Sequence, residues 1–439
     1  MLTRHQVDQL AIATGSRIGI LSGSAGTGKT YCASEYVRLF GEHAVQAVCP
    51  TGKAAQRLSE SFRENSLQVH ATTIHAALSA KKNGDNWHFT RTETNPLNAG
   101  LLVVDEVSMV DTSLMSSLLA AVGSGTRVLL LGDPGQLSPV GKGKPYHDMI
   151  ESGCVPHGHL TEPHRFAGRI GKVCQQLRNG ERWQPSPKLD LEAEFPENFR
   201  HFECLNSKIQ LRALDDVIGK MSDSGQCPIQ DIQVICAVND TGPLSRKKLN
   251  LRIQALCNPD GEGTEKGTPI RVGDKVICLK NGRRLNASHS PIRRRSKVFS
   301  MDGDFGSEKS ETYIANGEMG VATEVTPKCI TARMGKSVVQ FNRGQWRDLD
   351  LGWAITAHKS QGSQWPVVIS MIDDYNGANY VCSRAWHYTA LSRAAKTCIT
   401  IGRRLTIDRH CRNVDLEKRK TFLTERIQSA CQYDEMMSL

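Results

Sequence analysis

Eight consecutive residues, Gly23-Ser-Ala-Gly-Thr-Gly-Lys-Thr30, have the composition and spacing of a loop that cradles phosphate. In such a loop Gly23, Ser24, Ala25, Gly26, Thr27 and Gly28 turn backbone N–H groups inward onto a β-phosphate, at the positive end of the next helix. Lys29 would reach the β- and γ-phosphates, and the Thr30 hydroxyl would hold Mg²⁺. The pattern therefore predicts a bound nucleoside triphosphate, ATP first. Downstream, Val103-Val104-Asp105-Glu106 places two carboxylates after an apolar run. Asp105 would hold the Mg²⁺ through water, and Glu106 would polarise an attacking water, so the expected reaction is hydrolysis rather than transfer. Gly132-Asp-Pro-Gly-Gln136 ends the following apolar run, where Gln136 could touch the γ-phosphate or that water.

These groups need a scaffold that brings strand ends together. Arg17 to Leu21 before the loop reads as a buried strand, and Tyr31 to Phe40 after it as a helix. Ala44 to Cys49, Leu101 to Val104 and Arg127 to Leu131 read as further strands, separated by helices over Lys53 to Glu64 and Thr112 to Val122. That alternation is a doubly wound parallel sheet with its sites at the strand ends. Ser79 to Gly100 interrupts it with Asn83-Gly84-Asp85 turn chemistry and predicts a small β-hairpin insert. The stretch from Asn179 to Gln230 is proline-rich and weakly periodic, as a crossing between domains would be. The α/β pattern resumes with strands expected at Ile232 to Ala237, Val367 to Ile372 and Cys398 to Ile401. Short β-like pieces with glycine turns between Gly273 and Arg347 suggest a small all-β insertion.

A chain of 439 residues exceeds one ordinary core, and its 39% hydrophobic and 23% charged residues fit a globular protein. No run approaches the length of a membrane span, and the polar start Met1-Leu-Thr-Arg-His lacks the pattern of a secretion signal. The 14 cysteines form no Cys-x-x-Cys pair and fall in apolar runs, which speaks for reduced core thiols in a cytoplasmic compartment and against structural zinc. Net charge is +10, and Lys280 to Lys297 holds seven basic and no acidic residues, Arg293, Arg294 and Arg295 among them. Such a segment suits either a polyanion or a solvated loop. His157-Gly-His159 is read as loop.

Gly23 to Thr30, Cys49-Pro-Thr-Gly-Lys-Ala-Ala55, Thr72-Thr-Ile-His75, Asp105-Glu-Val-Ser-Met109 and Gly132 to Gln136 follow one another in the order found in superfamily 1 DNA helicases. Leu160-Thr-Glu-Pro-His-Arg165, Ala354-Ile-Thr-Ala-His-Lys-Ser-Gln-Gly362 and Tyr388-Thr-Ala-Leu-Ser-Arg393 continue the series. With Asp274 to Asn281 and Asn316-Gly-Glu-Met-Gly320, the chain resembles the RecD-like branch, and its start near Gln6 resembles the compact phage-type members. The resemblance implies two RecA-like P-loop NTPase domains, 1–184 and 185–439, with a strand-splitting pin at about 79–100 and an SH3-like β insert at about 282–347. It implies an ATP-dependent motor moving 5′→3′ on single-stranded DNA and unwinding duplex. The alternative is a translocase subunit of a recombination or nuclease complex that separates no strands itself. Single-stranded DNA and its junctions with duplex would be partners, together with replication or recombination proteins and no membrane, in a bacterial or phage-infected cell.

The same resemblance assigns residues. Gln6 would read the adenine edge, Arg165 and Arg393 would be arginine fingers, and Gln361, Gly362 and Gln364 would stand at the nucleotide. Gln364 replaces the glutamate usual in the family, so it could bond a ribose hydroxyl without a charge. Thr51, Thr73, His75, Thr356, His358 and Lys359 would contact DNA, and Arg293 to Arg295 could line the strand channel. Trp87 or Phe89 would stack on the end base pair, or else pack the hairpin onto its own domain.

Overall fold

The computed structural model describes residues 2–83, 86–162, 168–263, 265–287 and 311–437. Its first sheet has six strands in the spatial order 71–73, 45–49, 101–104, 127–132, 18–23 and 157–160, and every pairing is parallel. Helices cover both faces, which is why these strands read as continuous apolar runs rather than alternating ones. On one face Leu10, Val37, Leu58 and Phe62, from helices Arg4–Thr14, Lys29–Phe40 and Gly52–Glu64, pack on Leu21, Val103 and Leu129. On the other, Met115, Leu118 and Met149, from helices Thr112–Ala120 and Pro145–Ser152, meet Ile20, Val104 and Leu130.

The second sheet has five parallel strands in the order 354–356, 232–236, 365–371, 394–402 and 199–203. Leu214 and Ile218 of helix Ser207–Asp223 and Leu249 and Ile253 of helix Arg246–Cys257 cover one face. Helices Arg169–Asn179, Arg384–Leu391 and Arg404–Cys411 cover the other. The expected class, two α/β sheets flanked by helices, is the one observed.

Four features differ from the sequence expectation. The stretch from 179 to 230 is no mere crossing: it contributes an edge strand, Phe199–Glu203, and the 17-residue helix Ser207–Asp223. Helix Arg169–Asn179, expected within the first unit, buries Ile170, Val173 and Leu177 in the second sheet's core. The β insertion is wider than 282–347, because seven antiparallel strands from Lys275 to Leu351 share one sheet. His157-Gly-His159 opens a strand, His157–Leu160, paired with the phosphate-loop strand, and is not loop.

The hairpin of the first unit is confined to strands Ala80–Asn83 and Asn86–Phe89. The C-terminal helix Leu423–Met437 returns from the second unit and packs on helix Pro145–Ser152 of the first. Among the described residues no helix is long and apolar enough to cross a membrane.

Candidate active site

Strand register puts the chemistry on one edge. Ser22 is level with Gly132, and Val104 with Leu130, so Gly23, Asp105 and Asp133 all emerge at the carboxyl end of neighbouring strands. The phosphate loop turns into its helix through Gly28, whose φ of 87° lies in the left-handed region that favours glycine. Lys29 Nζ donates to the carbonyl oxygens of Gly23 at 2.8 Å and Ser24 at 3.0 Å, which sets the ammonium over the mouth of the loop. Glu106 follows Asp105 with φ 54° and ψ 38°, a conformation that costs free energy in a non-glycine residue and often marks a functional turn. Its N–H donates to Asp105 Oδ1 at 2.8 Å. Burial, and next the neighbouring Glu106, push the Asp105 carboxyl above its ordinary range, while Lys29 and Arg57 pull it back.

A cleft of about 360 Å³ opens between the two sheets and gathers these groups. From the first unit it is lined by Lys29, Thr30, Asp105, Glu106 and Gln136, and from the second by Gly362, Gln364 and Arg393. Arg393 is buried, and its guanidinium donates to Thr389 O and Ser392 Oγ, each at 3.0 Å. Gln136 is 3% exposed, with its Oε1 unpaired by protein, an acceptor available to a water in the cleft. Gln361 is buried with its Nε2 unpaired. A second cleft beside the loop is lined by Gln6, Gly28, Thr30 and Tyr31. There the Gln6 amide is held at both ends: Oε1 accepts from Thr3 N–H, and Nε2 donates to Thr27 O.

Three residues that sequence reasoning passed over also belong here. Arg57, Glu60 and Glu64 reach the main cleft from helix Gly52–Glu64, and Arg57 Nη1 donates to Gly362 O at 2.8 Å across the two units. Arg57 lies one helical turn after Lys53, inside the motif region that begins at Cys49, and that spacing was the available signal.

Candidate strand-contacting residues sit at a different part of the same edges. Thr51 and Thr73 follow or end adjacent strands and cap the helices beginning at Gly52 and Ile74, through Ala54 N–H and Ala76 N–H. Thr356 ends the edge strand of the second sheet, immediately before helix Ala357–Ser360. His358 and His75 are both held below their ordinary pKa by burial. Lys359 Nζ donates to Asn316 Oδ1 at 2.7 Å, which ties it to the β insertion.

Not every expected residue joins a site. Phe89 is half-buried, packs against the first unit's core and lies 5.9 Å, ring to ring, from His75, which fits the packing alternative for this residue. Trp87 is a strand residue paired with Lys82. Arg165 and Arg293 to Arg295 lie outside the described residues.

Comparisons with known proteins bear on the family and the fold. Residues 1–190 match the AAA domain family model and residues 351–401 the UvrD-like helicase C-terminal domain. The RecBCD enzyme subunit RecD of Buchnera aphidicola subsp. Acyrthosiphon pisum is 30% identical over 460 residues, covering 88% of this chain and 70% of that one. This chain belongs to the RecD-like superfamily 1 helicases. The ATP-dependent RecD2 DNA helicase of Deinococcus radiodurans is 30% identical over 410 residues, 91% of this chain. The chain spans only 49% of that relative's length. A solved Pif1 helicase structure, described for unwinding at forked duplex DNA, shares the fold with a TM-score of 0.50 at 18% identity, over 91% of this chain and 92% of that one.

Proposed function

We propose that this RecD-like chain is an ATP-dependent DNA helicase that moves 5′→3′ along single-stranded DNA and unwinds duplex ahead of it. The observation that carries the reading is the cleft itself, where Lys29, Glu106 and Gln136 of one sheet face Arg393 of the other. A site split between two units ties hydrolysis to their separation: closure brings the arginine to the γ-phosphate, where it stabilises transition-state charge, and product release lets the units part. Glu106 takes the proton of the attacking water while Gln136 orients it. Arg165 serves as a second finger, Gln6 binds the adenine edge, and Gln364 faces the sugar. Thr30 and Asp105 fit a magnesium ligand set, since the half-buried Asp105 carboxylate beside Glu106 at the cleft is an arrangement that a dication relieves. Magnesium would neutralise phosphate charge there.

Thr51, Thr73 and His75 on one unit, and Thr356 and His358 on the other, form two grips that alternate along the strand as the cleft opens and closes. Arg293 to Arg295 add salt-sensitive affinity. The hairpin splits the duplex, the β insertion from Lys275 to Leu351 is SH3-like and lines the strand path, and the compartment is the cytoplasm. Support comes from the resemblance to the RecD2 helicase over 91% of the chain. A second reading, a translocating subunit without strand separation, is favoured by relatives that are subunits of the RecBCD enzyme, such as that of Mycolicibacterium smegmatis at 27% identity.

The motor reading is tested by ATP hydrolysis with and without oligo-dT. Stimulation by the oligonucleotide, lost in Arg393→Ala, is the expected result. Hydrolysis indifferent to DNA in both proteins would sink it.

A further inference from the structure

Helix Arg384–Leu391 carries Arg393 just beyond its end, and its last turn reaches across the cleft. Tyr388 on that turn is 2% exposed. Its hydroxyl donates to Asp133 Oδ2 at 2.6 Å and accepts from the Ala25 N–H of the phosphate loop at 3.3 Å. The other Asp133 oxygen accepts from Gly135 N–H at 3.0 Å, so this fully buried carboxylate shapes the turn that presents Gln136. The next helix residue repeats the crossing, since Thr389 Oγ1 accepts from Leu137 N–H at 3.0 Å. Leu137 itself is buried in the core of the second unit, beside Tyr388. Burial, and then the adjacent Asp133, raise the Tyr388 hydroxyl far above its ordinary pKa, which keeps it a donor.

A tyrosine buried for packing alone needs no partner in the other unit, and phenylalanine would serve. Here both partners of the hydroxyl lie in the first unit, one on the phosphate loop and one beneath the Gln136 turn. A single hydroxyl is thus the point where the loop, the turn and the Arg393 helix meet.

We propose that Tyr388 is a positioning residue for ATP hydrolysis, holding the phosphate loop, Gln136 and Arg393 in one register across the cleft. The proposal rests on the reading of the cleft as an ATP site. Its hydrogen bonds form between parts of the enzyme, so their loss should misplace Gln136 and Arg393 in the transition state while leaving ATP and DNA affinity in place.

The test compares wild type with Tyr388→Phe in steady-state ATP hydrolysis with oligo-dT, alongside oligo-dT binding and thermal melting. A hydrogen bond to a charged group of this kind corresponds to roughly a 10-fold or larger drop in kcat. KM for ATP and the Kd for oligo-dT should stay within about two-fold, because Tyr388 lines neither cleft and its lost bonds are to protein groups. In an Arg393→Ala background the same change should cost little, since Tyr388 acts through Arg393 and Gln136. An unchanged kcat, a rise in KM alone, or full additivity with Arg393→Ala would overturn the proposal. If Tyr388→Phe fails to fold, Asp133→Asn keeps the ring and weakens the same bond. It should lower kcat at constant KM, and a normal kcat there would overturn the proposal equally. A wild type that hydrolyses no ATP refutes the ATP-site reading itself, whereas an active wild type matched by Tyr388→Phe refutes only the role of Tyr388.

Discussion

At the scale of single residues, the site divides into groups whose spacing along the chain declares them and groups that only folding brings in. Lys29, Thr30, Asp105, Glu106 and Gln136 were legible because each follows an apolar strand at a fixed offset, and parallel register carries those ends to one edge. Tyr388 and Arg57 escaped as site residues because their partners, Ala25 and Gly362, are hundreds of positions away. For Phe89 the sequence left a wedge and a packing role both open, and folding sets its ring against His75 and the core. The sharpest residue-level prediction concerns Glu106. Glu106→Gln keeps the side-chain volume and leaves Asp105 in place, so ATP should still bind while turnover falls by ~10²-fold or more, the scale of general-base catalysis. Lys29→Ala should also end turnover yet leave oligo-dT binding intact, because Lys29 reaches the loop carbonyls and not the strand-contacting edge. Hydrolysis rates near wild type in either variant, followed by phosphate release, would show that the carboxylate and the ammonium have been misassigned.

At the scale of elements, the buried parallel strands were readable because helices on both faces demand apolar residues throughout. The edge strand Phe199–Glu203 was not, since only part of it is buried and its charges break the run. Helix Ser207–Asp223 did carry a signal, with Gln210, Leu214, Val217 and Ile218 on one face behind an Asn206 cap, but the prolines before it drew the reading toward a linker. The C-terminal return was invisible because, apart from Ile427 on the first unit's core, its anchors are polar and specific. Arg419 donates to the carbonyl oxygens of Pro139, Gly141 and Gly143, and Thr421 donates to Asp148 Oδ2 at 2.8 Å. Arg419→Ala strands those acceptors and should lower stability by ~1–3 kcal/mol. A urea midpoint unchanged from wild type would mean that water replaces the guanidinium freely. For the hairpin, Phe89 must stay, so the informative change replaces residues 82–87 with two glycines. Stimulated ATP hydrolysis should survive, since no paired hairpin residue lines the cleft, and strand separation should drop. Loss of both activities together would make the hairpin a structural support of the first unit.

At the scale of the molecule, two parallel sheets flanked by helices face each other over one cleft, and the C-terminal helix returns from the second unit to the first. Arg57 with Gly362, Tyr388 with Asp133 and Leu137 with Thr389 span the same interface beside the candidate nucleotide site. On the proposed reading, a change in what the cleft holds bears on how the two units sit, and the candidate strand contacts Thr51, Thr73 and Thr356 ride on those units. Direction of travel was available only through the family resemblance, because polarity depends on which way a strand lies across both edges. The decisive measurement is strand displacement driven by ATP on otherwise identical duplexes carrying either a 5′ or a 3′ single-stranded tail. The account predicts displacement from the 5′-tailed duplex, none from the 3′-tailed one, and none from either with Glu106→Gln. Displacement confined to the 3′-tailed duplex, or DNA-stimulated hydrolysis with no displacement from either, would contradict it.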